Sequence, residues 1–263
     1  MQTRQAVLIT GAGSGIGREL ARLFAADGAL VVAASLEPDE LEALRSELRS
    51  RGSDVVTIPI DLAQPGSAAR LAAACDAQGL EIDTLVNNAG FACFQDVVDE
   101  DAGRIASMIA LNVTTLTQLS ALFGRRMKER RRGAILNVGS TAGMMPSTRM
   151  AAYCATKAYV NSFTYALAAE LEPFGVTVTC LTPGATATNF ARNGGIEAFQ
   201  GRSILKSLFE RGKAGSPVEV ARAAIAGLRA GKRQVLVGKG ALLASIASRL
   251  IRQSAIPGLI RNV

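Results

Sequence analysis

Thr10-Gly11-Ala12-Gly13-Ser14-Gly15-Ile16-Gly17 separates an unbroken apolar run, Ala6–Thr10, from a helical pattern at about 16–27. The run has the length and character of a buried strand. Glycine at this spacing lets the backbone turn tightly and leaves no side chain between the main chain and a ligand. The helix that follows offers unpaired N–H groups at its start, where an anion is stabilised. A glycine-rich turn alone serves equally well as a plain bend. Strand, turn and helix in that order point to the pyrophosphate of a dinucleotide, held by Gly11, Ser14, Gly15, Ile16 and Gly17.

The alternation continues along the chain. Strands are predicted at 29–34, 54–60, Ile82–Asn87, 134–139, 176–181 and Gln234–Val237, and helices at about 38–51, 102–130, 151–172 and 217–230. Strands that are apolar throughout are covered on both faces. With right-handed crossovers, the pattern defines an α/β fold: a single-domain, Rossmann-type, doubly wound parallel sheet of about seven strands with helices on both faces. This domain spans 1–238, and 239–263 form a basic amphipathic extension. Ligands of such sheets lie beyond the carboxyl ends of the strands, so the informative residues should follow strands.

Composition removes several classes of chemistry. The 263 residues include no histidine, so no imidazole serves as base, nucleophile or ligand. Cys75, Cys93, Cys154 and Cys180 lie far apart without CxxC spacing, so no metal site and no disulfide framework is expected. Reduced, buried thiols fit a cytoplasmic protein. The N-terminus lacks the pattern of a signal peptide, and no run approaches ~18 uninterrupted apolar residues. The net charge of +7 is uneven: from Arg202 onward twelve Lys/Arg face only Glu210 and Glu219. A second basic cluster, at 125–132, ends a predicted helix, where cations complement the helix dipole. No recognised DNA- or RNA-binding motif is present, and nucleic acid is not expected as a partner.

Several residues after strands carry chemistry. Asp61 could accept from the exocyclic amine of an adenine, or cap a turn. Asn87-Asn88-Ala89-Gly90 forms a plain loop or allows close approach to a ribose. Tyr153 and Lys157 are four apart on a predicted helix and share a face. A free tyrosine, with a pKa of about 10, is a poor acid–base at neutral pH. A nearby ammonium would favour its phenolate. Ser140, after the fifth strand, could polarise a carbonyl. Asn112, in the long helix, could hold a water.

Taken together, these motifs resemble the short-chain dehydrogenase/reductase family across roughly residues 5–240. TGxxxGxG is matched by Thr10 to Gly17, NNAG by Asn87 to Gly90, YxxxK by Tyr153 to Lys157, and a proline-glycine motif by Pro183 to Thr188. The resemblance implies an oxidoreductase that moves a hydride between a nicotinamide cofactor and a carbonyl/alcohol pair. Tyr153 is then the general acid/base, Ser140 the carbonyl orienter and Asn112 the water holder. Lys157 binds the nicotinamide ribose and depresses the tyrosine pKa. Thr186 and Thr188 reach the carboxamide, Asp61 and Leu62 flank the adenine, and Asn88, Ala89 and Gly90 flank the adjacent ribose. The family's variable substrate loop falls at about 189–215, with Gly194-Gly195 as a hinge. Family members commonly form homodimers or homotetramers.

The cofactor is NAD or NADP. In the family an acid just after the second strand favours NAD, and a cation there or at Ser14 favours NADP. Ser35-Leu36-Glu37 and Ser14 supply no cation, and Glu37 would repel a 2′-phosphate, so NAD is favoured; Arg18 is the counter-argument. Phe91, Phe94, Met144, Met145, Met150, Phe190 and Phe199 are candidate substrate walls, which suits a hydrophobic ketone, aldehyde or alcohol. In the tail, Leu242, Leu243, Ile246, Leu250 and Ile251 recur at helical spacing opposite Ser245, Ser248, Arg249 and Arg252. Such a helix packs on a subunit or on the substrate mouth, or makes peripheral contact with an anionic membrane. Two rival readings remain: a dinucleotide sensor without turnover, and a protein held at a membrane by its tail.

Overall fold

The computed structural model describes residues 5–188, 190, 214–238 and 241–250. The element order is β1 (Ala6–Thr10), α1 (Gly15–Ala26), β2 (Leu30–Ser35), α2 (Pro38–Ser50), β3 (Val55–Pro59), α3 (Ser67–Ala77), β4 (Ile82–Asn87) and α4 (Ala102–Ile109). A π-helical turn (Ala110–Thr115) joins α4 to α5 (Leu116–Glu129). There follow β5 (Gly133–Val138), a 3-10 turn (Thr141–Met144), α6 (Ala151–Leu171), β6 (Val176–Pro183), α7 (Pro217–Arg229), β7 (Gln234–Val237) and α8 (Ala241–Leu250).

The seven strands form one sheet in the order β3-β2-β1-β4-β5-β6-β7, with every pairing parallel. Residues of a strand alternate between the two faces. Val7 and Ile9 join one apolar cluster with Leu20 and Phe24 of α1, Leu41, Leu44 and Leu48 of α2, and Val220, Ala224 and Leu228 of α7. Ala6 and Leu8 join the opposite cluster with Leu71 and Cys75 of α3, Leu119, Phe123 and Met127 of α5, and Ala168 and Leu171 of α6. This is the doubly wound arrangement expected from the sequence. The chain runs outward from β1 to β3 and then returns to place β4 beside β1. The reversal opens a crevice at the carboxyl ends of β1 and β4, where ligands of this architecture bind.

Three features differ from the sequence expectation. Helix α3 was not foreseen. It follows Pro65-Gly66 and buries Ala68, Leu71, Ala72 and Cys75. Its alanine-rich sequence gives little contrast between faces, and so a weak periodic signal. The long helix predicted at 102–130 is present, but its course through Ala110–Thr115 is π-helical. Finally, the cations near 125–132 make specific contacts beyond any dipole effect. Arg126 forks onto Asp76 at 2.6 and 2.8 Å, Arg132 pairs with Glu81, and Arg131 donates to the Pro173 carbonyl at 3.0 Å.

The continuous 102–129 helix is the one element among the described residues long and apolar enough to cross a membrane by composition. Its apolar residues Leu119, Phe123 and Met127 are spent on the sheet. All four cysteines are free and buried.

Candidate active site

The first lip of the crevice is the glycine turn. Gly11 and Gly15 take φ of 63° and 55°, in the left-handed region where a side chain is strained. Gly17 is needed for a different reason: a Cβ there would stand 2.1 Å from the Gly11 carbonyl oxygen. Ser14 is the N-cap of α1, yet its side chain makes no capping bond, and the first turn holds no acid. The leading N–H groups of α1 are therefore left for an external anion.

The second lip, Asn88-Ala89, is fastened to the first by Thr10. The Thr10 hydroxyl accepts from the backbone N–H of Asn88 and of Ala89, both at 3.0 Å. The Asn88 side-chain amide donates to the carbonyls of Thr10 at 2.9 Å and Gly11 at 3.1 Å. Gly90 completes the lip. A Cβ on it would lie 2.8 Å from Asn112 Oδ1, so only glycine lets the loop close on that residue.

Asn112 sits in the π-helical turn and is buried. Its Nδ2 donates to the Phe91 carbonyl at 2.9 Å and to Thr156 Oγ1 at 3.1 Å, while its Oδ1 accepts from the Phe91 N–H at 3.2 Å. Both amide hydrogens are spent, so any water held by this side chain must donate to it.

Ser140, Tyr153 and Lys157 converge. Ser140 leaves β5 in extended conformation and caps the 3-10 turn, its Oγ accepting from the Ala142 N–H at 3.1 Å. Tyr153 and Lys157 are buried on one face of α6. The Ser140 hydroxyl acts on the Tyr153 phenol as a hydrogen-bond donor that lowers its pKa. Lys157 Nζ donates to the Val138 carbonyl at 2.8 Å and stands 5.9 Å from the Tyr153 ring centroid. Gly143 lets the 3-10 turn seat directly on α6, since a Cβ would meet the Lys157 backbone at 2.4 Å.

The electrostatics depart from simple expectation. Burial pushes the Tyr153 phenol above its ordinary value, and the bond from Ser140 is the influence that opposes this. Lys157 was expected to lower the phenol, but in the protein alone it is not among the influences on that group, and desolvation dominates. Burial also pulls Lys157 itself down, to about 8. Tyr153 is thus a protonated donor, and Lys157 exchanges its proton close to neutral pH.

An apolar cluster adjoins the phenol. Phe94, Met150, Cys93, Cys154 and Met108 form a buried cluster with Tyr153, with Phe91 and Phe190 packed against it. The Phe190 ring lies 5.6 Å from that of Tyr153. Met144 and Met145 are half-buried and stand outside this cluster. Phe199 and Gly194-Gly195 lie outside the described residues, as does most of the 189–215 loop.

The remaining sequence candidates fall around the crevice. Thr188 borders the glycine turn, its Cγ2 3.1 Å from where a Gly15 Cβ would be. Thr186 is buried and bonds to the Gly184 carbonyl at 3.0 Å. Leu62 is buried beneath the 61–64 turn. Asp61 accepts from the Ala63 N–H at 2.8 Å and the Gln64 side chain at 2.9 Å, the turn-capping role that was its alternative. Arg18 is engaged by Glu47 at 2.9 Å. Glu37 is exposed at the start of α2. Its neighbour Glu40 was missed: its Oε2 lies 2.5 Å, and Ser35 Oγ 3.2 Å, from where a Gly13 Cβ would be. One helical turn beyond Glu37, it is the acid that reaches the glycine turn.

An uncapped helix N-terminus at a strand-order reversal, beside a Ser-Tyr-Lys cluster, is suited to a dinucleotide and to carbonyl chemistry. Residues 5–196 match the family model of the short chain dehydrogenases, and the chain belongs to that family. Relatives it resembles are named as dehydrogenases and oxidoreductases. A probable oxidoreductase, EphD, of Mycobacterium tuberculosis is 33% identical over 193 residues, covering 73% of this chain. The chain spans 33% of that relative's length. A short-chain dehydrogenase from Sphingobium yanoikuyae, solved with NADPH, is 30% identical with a TM-score of 0.80, over 98% of this chain and 96% of that one. One from Burkholderia phymatum, solved with NAD, is 26% identical with a TM-score of 0.82, over 99% and 96%.

Proposed function

We propose that this protein interconverts a hydrophobic ketone or aldehyde and the corresponding alcohol, with NAD as the preferred dinucleotide. The observation that carries the reading is the convergence of Ser140 and Tyr153 beside an apolar cluster, with Lys157 one turn away on α6. The bound nicotinamide supplies the hydride in reduction and accepts it in oxidation. In reduction, Ser140 and Tyr153 donate hydrogen bonds to the carbonyl oxygen, and the Tyr153 proton passes to that oxygen as the alcohol forms. Lys157 returns a proton to Tyr153, and a water held at Asn112 connects Lys157 to solvent. Positioning and fixed dipoles supply most of the barrier lowering. Phe91, Phe94, Met150 and Phe190 hold the apolar part of the substrate, and α8, packed against the 3-10 turn, walls the mouth.

The dinucleotide is held by the α1 N-terminus with Gly11, Ser14, Gly15, Ile16 and Gly17. Asn88, Ala89 and Gly90 take the adjacent ribose, Asp61 and Leu62 flank the adenine, Lys157 takes the nicotinamide ribose, and Thr186 and Thr188 take its amide. The preference for NAD rests on Glu40, whose carboxylate beside Gly13 and Ser35 disfavours a 2′-phosphate. The exposed apolar side chains of Ile109, Leu122, Tyr159 and Tyr165 on the two long central helices support a homo-oligomer. Exposed Leu242 and Ile246, one turn apart on α8, leave room for a further contact of the tail.

Tyr153→Phe tests the chemistry. It should abolish turnover across a panel of carbonyls and alcohols while leaving dinucleotide affinity intact, and unchanged turnover would refute the assignment. Glu40→Gln tests the cofactor by calorimetry. Wild type should bind NAD about tenfold or more tighter than NADP, and the variant should narrow that ratio.

A further inference from the structure

The carboxyl end of β5 is gripped by α6 at three successive turns. Tyr153, Lys157 and Asn161 are spaced four apart and therefore project from one face of the helix. Tyr153 meets the Ser140 hydroxyl, Lys157 Nζ meets the Val138 carbonyl at 2.8 Å, and Asn161 Nδ2 donates to the Ser140 carbonyl at 3.1 Å. Among the described residues the only other donor to that carbonyl is the Gly143 N–H at 3.1 Å, which belongs to Ser140's own turn. Asn161 is thus the one hydrogen bond from α6 to the main chain of Ser140 itself.

Its amide has little freedom. Asn161 is buried, and its Oδ1 accepts from Cys180 Sγ of β6 at 3.4 Å. That bond fixes which end of the amide faces Ser140. Burial raises the Cys180 thiol above its ordinary value, which keeps it a donor. Gly139 leaves the space: a Cβ there would lie 2.0 Å from Asn161 Oδ1 and 3.1 Å from Cys180 Sγ. A glycine, an amide and a thiol from three elements are therefore shaped around one carbonyl of the residue that orients the substrate.

We infer that Asn161 is a positioning residue, which with Cys180 and Gly139 sets the height of Ser140 against the Tyr153 hydroxyl. This rests on the Ser-Tyr-Lys reading of the site. Without the Asn161 bond, the Ser140 carbonyl keeps only the Gly143 N–H of its own turn, and the turn's remaining side-chain tie is from Thr141 to the Pro183 carbonyl at 3.4 Å, among the described residues. Ser140 Oγ then loses registry with the phenol, while the dinucleotide crevice, built on β1 and β4, is untouched.

The test uses the full chain labelled with 13Cζ-tyrosine, whose resonance senses hydrogen bonding at the phenol oxygen and requires no turnover. Tyr153→Phe assigns the signal among the three tyrosines. Ser140→Ala gives the shift for complete loss of the bond. Asn161→Leu, and Asn161→Asp, which keeps the acceptor for Cys180 but cannot donate, should each move the signal the same way by at least half as much. Cys180→Ala should move it partly, and Cys180→Ser, which restores a donor, should return it. In turnover, Asn161→Leu should lower kcat about tenfold to a hundredfold, with KM and dinucleotide affinity within about twofold. An unmoved resonance overturns the inference, as does a loss of dinucleotide affinity in step with kcat. Should Asn161→Leu not fold, the Cys180→Ala and Cys180→Ser pair decides by the same criteria. Activity surviving in Tyr153→Phe would instead sink the functional reading and leave the resonance test standing.

Discussion

Replacing Lys157 by methionine should flatten a specific part of the protein's stability against pH. The ammonium is buried and has one hydrogen bond among the described residues, to Val138. Burial depresses its pKa to about 8, from the ordinary 10.5 that the unfolded chain retains. Between these values the unfolded chain holds more protons than the folded one, so stability must rise with pH there. Below about 8 both states are protonated, and the rise is absent. Linkage between the two values gives a gain of about 2 kcal/mol from pH 7 to pH 9.5. Urea denaturation of dinucleotide-free protein with and without Lys157→Met, both carrying Cys180→Ala because that thiol feels the ammonium, at pH 7, 8.25 and 9.5, isolates this contribution. The advantage of the chain that keeps Lys157 should grow by about that amount across the range. A difference constant to within about 0.5 kcal/mol would mean that the ammonium is not desolvated, and would remove the argument that Lys157 exchanges protons near neutral pH.

Further outcomes follow from the crevice and the core. Gly17→Ala should lose dinucleotide binding in a fluorescence titration and lower stability by about 2 kcal/mol or more, because the new methyl meets the Gly11 carbonyl. Thr10→Val keeps the shape but strips the acceptor from the Asn88 and Ala89 N–H groups; it should cost about 1–3 kcal/mol in urea denaturation and weaken dinucleotide affinity. The cysteines are buried, and burial raises the thiols of Cys75 and Cys154 to about 11. Ellman's reagent at pH 8 should therefore find the native thiols unreactive on a minutes scale and all of them reactive in denaturant.

Much of this fold could be read before any coordinates, because its strands are short, apolar and widely spaced. β1, β4 and β7 fall on the predicted residues, and the other strands within a residue or two. Where the pattern was faint, as in alanine-rich α3, reading failed, since face contrast rather than propensity carries the signal. The residues brought to the crevice were legible for a similar reason: Ser140, Tyr153, Lys157 and the glycines stand immediately after strands or at helix spacing. What stayed hidden depends on three-dimensional reach. Glu40, rather than exposed Glu37, touches the glycine turn because a side chain in the first turn of α2 is directed back over it. The direction of the Tyr153 shift was also hidden, because desolvation depends on packing that no local pattern encodes. Asn161 had a signal in its spacing of four beyond Lys157, but its partners Gly139 and Cys180 come from other strands.

The Thr10 hydroxyl joins groups separated by 78 and 79 residues of chain. A ribosome that has delivered the whole glycine-rich segment has therefore delivered only half of a nucleotide clamp. Until Asn88 and Ala89 emerge and β4 docks beside β1, the first half is tied only to β2, through the Ala12 N–H on the Ala34 carbonyl at 3.2 Å, among the described residues. In the proposed site, nucleotide thus finds no complete clamp until the chain has grown past Ala89, about a third of its length, and chains truncated before that point go without its protection.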